Sequence, residues 1–235
     1  MLGRVRYLVV PAIAAALVLA ATTGQAKASR WIQYGIQDDA WLLAGPDPDA
    51  LPARIALMKK LGAGIVRYNL QWSVIAAKRP ATASDPDDPA YDWTAPDTVL
   101  DALHDANIPV LLTLNGTPTW ANGGRPPSFA PSTSSPFTAF VTAAAARYPW
   151  VKKWTIWNEP NQPRWLRPGS PKLYVTRLLN PAYKVLHDEI DGVQVGTGGT
   201  APRAGTGGVS PLAWLDDLHA AHARFDAYEI GRAHV

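Results

Sequence analysis

The chain has 235 residues, of which 47% are hydrophobic and 17% charged, so it can bury the core of one domain and lacks the composition of a disordered chain. Its formal net charge of +3 falls to zero when Arg4, Arg6 and Lys27 of a predicted leader are removed. A neutral mature domain gives no electrostatic reason to expect nucleic acid or an anionic membrane as a partner. The sequence contains no cysteine, so its stability must come from the core and not from disulfides.

Residues 1–28 have the three parts of a secretory signal peptide. A basic start precedes the apolar run 7–21, and Ala26-Lys27-Ala28 supplies the small-x-small pattern that signal peptidase reads. The run is shorter than the roughly 20 apolar residues that a membrane span needs, which disfavours the alternative of an uncleaved anchor. We therefore expect a secreted, extracellular protein that has no stable membrane association after cleavage.

After the leader, strand-like and helix-like segments alternate, which is typical of a parallel α/β sheet. Three helices are predicted to begin at Ser-Pro pairs, with Ser as the N-cap and Pro in the first turn. The last of the long helices before residue 190 is expected to break at Pro181. The predicted strands cover about 31–37, 64–70, 109–114, 153–157 and 193–198, with a sixth from Phe225, and the predicted helices cover about 51–61 and 97–106 and begin at Ser135-Pro136, Ser170-Pro171 and Ser210-Pro211.

The links from strand to helix are long, whereas the links from helix to strand are short. Residues 71–96 follow the second strand, but only Gly62-Ala63 separates the first helix from that strand. Long segments at the carboxyl ends of strands are typical of TIM barrels and also of doubly wound sheets. The glycine-rich stretches 196–199 and 205–208 lack the Lys of a phosphate loop, so we interpret them as flexible loops and expect no nucleotide cofactor.

The strongest chemical signal is the segment from Trp154 to Pro160, in which an apolar strand ends in Trp157-Asn158-Glu159. Pro160 disfavours a helical backbone at Glu159, so the strand geometry should continue through the carboxylate and direct it toward the cleft. The flanking indoles would desolvate Glu159, as a general acid requires. A helix N-cap beside two core tryptophans is the alternative, but such a cap requires neither a Glu nor this clustering.

The segment Trp157-Asn158-Glu159-Pro160 on the fourth strand resembles the acid/base signature of clan A glycoside hydrolases, especially cellulase-type family 5 and β-xylosidase-type family 39. The resemblance implies a TIM (β/α)8 barrel that hydrolyses β-glycosides with retention and needs no cofactor. It implies that Glu159 is the acid/base, that Asn158 binds the sugar 2-hydroxyl, and that a second Glu at the end of strand seven is the nucleophile. Arg67 on strand two matches the arginine that the clan places under the nucleophile, although a barrel-edge salt bridge is the alternative.

Three tryptophans are predicted to contact substrate. Trp72 and Trp120 are candidate sugar platforms, because pyranose C–H faces stack on indole, and Trp157 is grouped with them as substrate-binding. Ordinary core packing explains any single Trp equally well. Asn115-Gly116-Thr117 matches a glycosylation sequon. Because Asn115 lies at the end of strand three, we expect instead that it lines the active site.

The remaining titratable residues give weaker signals. His219 and His222 could share one helix face but have no further ligand nearby, so we predict no metal site. Asp38 and Asp39 follow the first strand and could face the cleft, although either would be a remote choice as the partner carboxylate of Glu159.

The end of the sequence departs from the clan's pattern. Its last six residues can be encoded by a string that resembles a sequencing-library adapter, and Glu229 shares the boundary codon. We interpret 229–235 as a scar and 29–228 as a partial barrel, truncated after about strand six, so the chain as printed should be inactive and poorly stable. The expected partner is an oligo- or polysaccharide, the expected state is a monomer, and the alternative function is a non-catalytic secreted carbohydrate-binding barrel.

Overall fold

The computed structural model describes residues 32–43 and 50–230. The predicted leader, 1–28, and most of the predicted scar, 231–235, lie outside the described residues. The chain divides into the units Met1–Gln33 and Tyr34–Val235, and of the first unit only two residues are described. No helix within the described ranges is long and apolar enough to cross a membrane.

The described part of the second unit is built on a parallel sheet of five strands, each hydrogen-bonded to the next in chain order. Helices connect the strands, as the alternating pattern predicts. The strands are β1 Gly35–Ile36, β2 Ile65–Gln71, β3 Val110–Asn115, β4 Lys153–Asn158 and β5 Gln194–Gly199. The helices are α1 Asp39–Leu43, α2 Leu51–Lys60, α3 Trp72–Ile75, α4 Thr94–Asp105, α5 Ser135–Arg147, α6 Pro171–Tyr174, α7 Asn180–Glu189 and α8 Pro211–Ala220.

The predicted strands two to five agree with β2 to β5 within about one residue at each end. The expected sixth strand from Phe225 is not formed as a strand. Residues 225–230 instead run beside β5 and meet it through single bridges, Gly196 to Ala227 and Thr200 to Ile230. The outer edge of β5 is thus only partly paired.

The two faces of the sheet bury different chemistry because side chains alternate along each strand. On β2 the apolar residues Val66, Tyr68 and Leu70 are buried on one face. Arg67 occupies the other face, where its Nε donates to Thr113 on β3 at 2.9 Å. The buried hydroxyls of Thr113 and Thr155 are 2.7 Å apart on this same inner face.

Two of the three predicted Ser caps are confirmed. The Oγ atoms of Ser170 and Ser210 accept hydrogen bonds from Leu173 and Ala213 at 3.2 and 3.3 Å. At α5 the prediction is wrong by one residue, because the helix begins at Ser135 and the N-cap is Ser134, which makes no side-chain cap bond.

The predicted break at Pro181 takes a different form. The π-helical turn Val175–Leu179 joins α6 to α7, and Pro181 lies in the first turn of α7. The helical backbone continues through this point, since the Asn180 N–H donates to the Val175 carbonyl, and the wider π-turn lies directly before the proline, which has no N–H to donate.

The glycine-rich stretch 196–199 is a buried part of the sheet, and its interpretation as a flexible loop is wrong. A Cβ at Gly198 would lie 2.7 Å from the carbonyl oxygen of Ile156, so β4 and β5 can approach only because this residue has no side chain. The hydroxyl of Tyr174 enters here as well. It donates to the Ile156 carbonyl at 2.6 Å and accepts from the Gly198 N–H at 2.9 Å.

Candidate active site

A cleft of about 780 Å³ opens at the carboxyl ends of the strands, where the long strand-to-helix segments gather. Asp38 and Asp39, which the sequence predicts could face the cleft, line it. Four of the predicted site residues line it as well, from the ends of β2, β3 and β4. They are Arg67, Asn115, Asn158 and Glu159. The other lining residues are Gln37, Asn69, Gln71, Gln162, Arg164, Trp165, Gly199, Ala201, Arg203 and Gly205.

An irregular backbone at the end of β4 sets which side chains enter this cleft. Trp157 has φ of +77° and Glu159 has φ of +40°, both in the left-handed region that side chains rarely adopt. The indole of Trp157 is buried near Phe137 of α5, whereas Asn158 contacts Arg67 on the inner face. The expectation that strand geometry continues through Glu159 is therefore wrong. The side chains of β4 alternate between the two faces of the sheet, and this alternation is interrupted at Trp157.

Glu159 is held at the cleft by its own backbone and by a rigid loop. Its N–H donates to Gly199 of β5 at 2.9 Å, and its carbonyl accepts from Gln162 at 2.9 Å. The loop is fixed by the fully buried Asn161, whose amide bonds Val209 and both backbone groups of Ala201. The carboxylate of Glu159 is thus presented from a constrained turn, half-buried in the cleft wall.

Arg67 connects the inner face of the sheet to Asn158. Its guanidinium donates to Asn158 Oδ1 at 3.1 Å and to Gln37 Oε1 at 3.3 Å. Because Asn158 Oδ1 accepts from Arg67, its Nδ2 group is left to donate toward a ligand in the cleft.

Arg67 also pairs with Glu229, at 3.3 Å between Nη1 and Oε1. Glu229 Oε2 is buried without a hydrogen-bond partner, and its carboxyl lies against Gly199. Burial raises the pKa of Glu229, and the charge of Arg67 opposes that rise. Sequence reasoning excluded Glu229 from the site because it shares the codon at the boundary of the predicted scar, and no local pattern marks it as an inward-facing carboxylate.

Trp72 and Trp157 are placed away from the substrate by their burial, and Trp120 is placed away from it by its position outside the cleft. Trp72 is 0% exposed and packs on Phe137 and Phe140, and Trp157 is 1% exposed with its Nε1 donating to the Trp165 carbonyl at 2.7 Å. Both indoles fill the space between the sheet and the helices, so neither can stack on a sugar in this structure. Trp120 packs edge-on against Trp72, donates to the Ala76 carbonyl at 2.7 Å and does not line the cleft.

Trp165 is the indole that lines the cleft with Glu159, and it is 39% exposed. The Arg164 guanidinium lies 5.4 Å from the centre of its ring. The sequence held one signal for Trp165, since it lies in the long segment after β4 beside Pro163 and Arg164, with no apolar periodicity that would bury it.

Asp39 is held in the opposite wall by Asn69 of β2. Its carboxylate accepts hydrogen bonds from the Asn69 backbone N–H at 3.2 Å and from the Asn69 side-chain amide. Asn115 in turn donates to Asn69 Oδ1 at 3.4 Å. Burial raises the pKa of Asp39, although the bonds from Asn69 and the charge of Arg67 oppose the rise.

The described residues contain no group of three or more His, Cys, Asp or Glu that could hold a metal ion. The cleft is lined by carboxylates, amides, arginines and the indole of Trp165.

No family model and no curated protein matches the sequence. Among solved structures, the chain is similar to a family 39 glycoside hydrolase from Bacteroides cellulosilyticus, with a TM-score of 0.56 and 18% identity, over 84% of this chain and 37% of that one. It is similar to a glucosidase from Croceicoccus marinus, with a TM-score of 0.59 and 15% identity, over 83% of this chain and 41% of that one. It is also similar to an endoglucanase from Thermotoga maritima, with a TM-score of 0.56 and 18% identity, over 85% of this chain and 60% of that one.

The chain spans less than two thirds of each of these three solved chains. At these identities the likeness shows the fold alone, which is the TIM-barrel α/β fold of these solved structures. The predicted α/β barrel fold is thereby confirmed.

Proposed function

We propose that this chain carries the acid/base part of a retaining β-glycosidase that acts on β-linked glycans. Glu159 protonates the glycosidic oxygen and later activates water, and Asn158 binds a hydroxyl of the sugar whose bond is cleaved. Arg67 orients Asn158 from below. Trp165 offers an exposed indole on which a sugar ring can stack.

The observation that carries the proposal is the convergence of Glu159, Asn158 and Arg67 in one cleft at the carboxyl edge of the sheet. Asn158 and Glu159 both reach the cleft because the backbone leaves regular strand geometry at Trp157 and again at Glu159. Such rarely populated backbone conformations persist where surrounding structure enforces them, and they cluster at functional sites.

Retention requires a second carboxylate about 5–5.5 Å from the first. We propose that this nucleophile is the Glu expected at the end of a seventh strand, encoded in the source gene beyond the sequence printed, and that 29–228 are a partial catalytic domain. Glu229 does not line the cleft, so we do not assign it that role.

The test is Glu159→Gln in the product of the source gene read beyond residue 228. On aryl β-glycosides with poor leaving groups, the rate should fall at least about a hundredfold, because protonation of the leaving group is lost. Substrates with good leaving groups need no protonation and should be cleaved with a smaller loss in the glycosylation step. Gln162→Ala, in the same cleft wall, is the matched control and should not show this dependence on the leaving group.

Equal losses on both kinds of substrate would remove the acid/base role from Glu159. The absence of any strand-end Glu from the extended reading frame would remove the retaining mechanism.

The second candidate is a barrel that binds glycans without cleaving them. Among the described residues, Glu159 is the one glutamate that lines the cleft, and this favours the second candidate because retention needs a partner carboxylate beside it. A seventh-strand Glu in the source gene decides between the two candidates.

We further propose that the protein is secreted after cleavage of 1–28 and acts as an extracellular monomer on oligo- or polysaccharide. Ser29 should then be the first residue of the exported protein, which N-terminal mass spectrometry can check. Asn115, Asn158, Glu159 and Trp165 contact the substrate in this proposal, and Arg67 positions Asn158.

A further inference from the structure

The three loops that follow β3, β4 and β5 carry positive charge at the rim of the cleft. In these loops, residues 116–134, 159–170 and 200–210, Glu159 is the one acidic residue. Their four arginines are all exposed and are called the basic rim here: Arg125, Arg164, Arg167 and Arg203. Within the described ranges, none of these guanidinium groups forms a salt bridge. The charge of the basic rim is therefore available to an anionic partner.

The loops that follow β1 and β2 carry the opposite charge. Asp38 and Asp39 follow β1, and the segment 76–93 after β2 contains four aspartates against two basic residues. Three of those four aspartates are exposed. The carboxyl edge of the sheet is thus positive on the side of β3 to β5 and negative on the side of β1 and β2. A partner with dense negative charge along its whole length would be repelled by the aspartates if it crossed this edge.

Two arginines of the basic rim are held on one aromatic ring outside the cleft. The Cζ atoms of Arg125 and Arg167 lie 5.3 and 5.8 Å from the centre of the Phe129 ring. The two loops are joined here, since the Ala130 N–H donates to the Arg167 carbonyl and the Arg167 N–H donates to the Ser128 carbonyl, both at 2.8 Å. A stacked guanidinium keeps N–H donors at its edge, and its planar fork matches a carboxylate. Because these side chains are already ordered, binding through them costs less conformational entropy.

The basic rim continues from Phe129 into the cleft. Arg167 Nε donates to the Pro163 carbonyl at 2.7 Å, which places it in the same turn as Arg164. Arg164 and Arg203 both line the cleft. A chain that enters the cleft from the side of β3 to β5 therefore passes the basic rim first.

We propose that the basic rim binds the anionic groups of an acidic polysaccharide and so selects charged glycans over neutral ones. The partner is a β-linked glycan that bears carboxylate or sulfate groups. Its charges are spaced by whole sugar units, whereas duplex DNA carries a charge about every 1.7 Å and would also meet the aspartates of the β1 and β2 loops. This inference rests on the proposed glycan function and adds the charge class of the substrate.

Titration calorimetry on the full chain tests the basic rim by binding alone, without turnover. The probes share a β-1,4-glucan backbone: neutral hydroxyethyl cellulose, carboxymethyl cellulose, which carries carboxylates, and cellulose sulfate. At low salt, at least one anionic polymer should bind about tenfold tighter than the neutral polymer, and salt should reduce this preference. The tighter anionic polymer identifies the group that the basic rim binds.

The double variant Arg125→Gln with Arg167→Gln removes two charges that lie outside the cleft. It should weaken the preferred anionic polymer about fivefold or more, since each exposed charge contact is worth up to about 1 kcal/mol, and leave hydroxyethyl cellulose unchanged. Arg125→Gln alone should weaken it about twofold. This single variant is the safer one for folding, because the Arg125 guanidinium makes no hydrogen bond within the described part of the chain.

Arg224→Gln is the matched control. Arg224 is also exposed and stacked on a ring, with its Cζ 4.6 Å from the centre of Tyr183. It lies at the opposite end of the sheet, two residues before Asp226, whose N–H donates to Val195 of β5. This variant should bind every polymer as the natural chain does. Near-ultraviolet circular dichroism compares the fold of each variant with that of the natural chain.

The outcomes separate the two proposals. Equal affinity of the natural chain for neutral and anionic polymers would overturn charge selection and leave the glycan function standing. An anionic preference that the double variant keeps in full would overturn the role of the basic rim. An oligothymidylate that binds tighter than both anionic polymers and is weakened by the double variant would replace the polysaccharide with nucleic acid. A natural chain that binds none of the polymers would overturn both proposals.

Discussion

Three buried or partly buried carboxylates, one in the helical layer and two at the cleft, differ in how the fold shifts their pKa values. Asp97, on α4 in the helical layer, accepts hydrogen bonds from the Arg147 guanidinium and from the Tyr148 hydroxyl. Burial alone would raise the pKa of Asp97, but these bonds outweigh it and hold the pKa below its usual range. In the cleft, burial prevails and raises the pKa of Asp39 and of Glu229.

The direction of the pKa shift distinguishes carboxylates that stabilise the fold from carboxylates that destabilise it. A carboxyl whose pKa is lowered on folding stabilises the folded protein at neutral pH, and one whose pKa is raised destabilises it. Asp97 belongs to the first kind, and Asp39 and Glu229 belong to the second. Tolerated charge at the carboxyl edge of the sheet is what a binding or catalytic site needs.

Removal of Arg67 should lower the free energy of unfolding more than any other substitution considered below. Arg67→Met deletes the cation beside Glu229 and the donor to Asn158, and it leaves a largely buried carboxylate unpaired. We expect the free energy of unfolding to fall by about 3 kcal/mol, measured by urea denaturation. Adding Glu229→Gln should restore part of this loss. A double variant no more stable than Arg67→Met would contradict the coupling.

A smaller loss is expected when the stabilising carboxylate is removed. Asp97→Asn keeps the shape but loses the charge that Arg147 and Tyr148 bind, so the free energy of unfolding should fall by about 1–3 kcal/mol at pH 7. Because the pKa of Asp97 is lowered on folding, its stabilisation is lost as pH falls through the folded pKa. The natural chain and the variant should therefore converge in acid, and a difference that persists at low pH would exclude an electrostatic cause.

The smallest change, and the opposite sign, is expected at Asp39. Because burial raises its pKa above the unfolded value, ionisation of Asp39 destabilises the folded chain at neutral pH. Asp39→Asn should therefore have a melting temperature equal to or slightly above that of the natural chain at pH 7. The gain should vanish below the ordinary pKa of Asp, about 3.9. A clear loss of stability at pH 7 would show that Asp39 is a structural residue.

The sequence predicts the parts of this structure that depend on periodicity and local chemistry. Apolar runs locate β2 to β5, and Ser-Pro pairs locate two helix starts. It also predicts the four strand-end residues that line the cleft, because the carboxyl ends of parallel strands meet at one edge. These features follow from a few neighbouring residues.

The failures concern contacts made between distant residues. Trp72 and Trp165 look alike as single residues, and only the packing of α5 on the sheet decides that one is buried and the other lines the cleft. The sequence predicts that Asp39 could face the cleft, but it does not predict that Asn69, thirty positions away, holds the carboxylate. The glycines of β5 look like a flexible loop in the sequence. The sequence does not show that carbonyl oxygens of β4 lie too close to Gly198 for a side chain to fit.

The left-handed backbone at Trp157 has a consequence for protein engineering. In a regular strand only every second side chain faces a given side, so the pair Asn158 and Glu159 cannot be transplanted as a dipeptide onto a straight strand of another barrel. The transplant would also need the buried indole of Trp157, whose backbone is left-handed, and a glycine such as Gly198 on the neighbouring strand. It would need the phenol of Tyr174, which bonds both strands. The unit that can be moved between proteins is this whole corner of two strands and a helix.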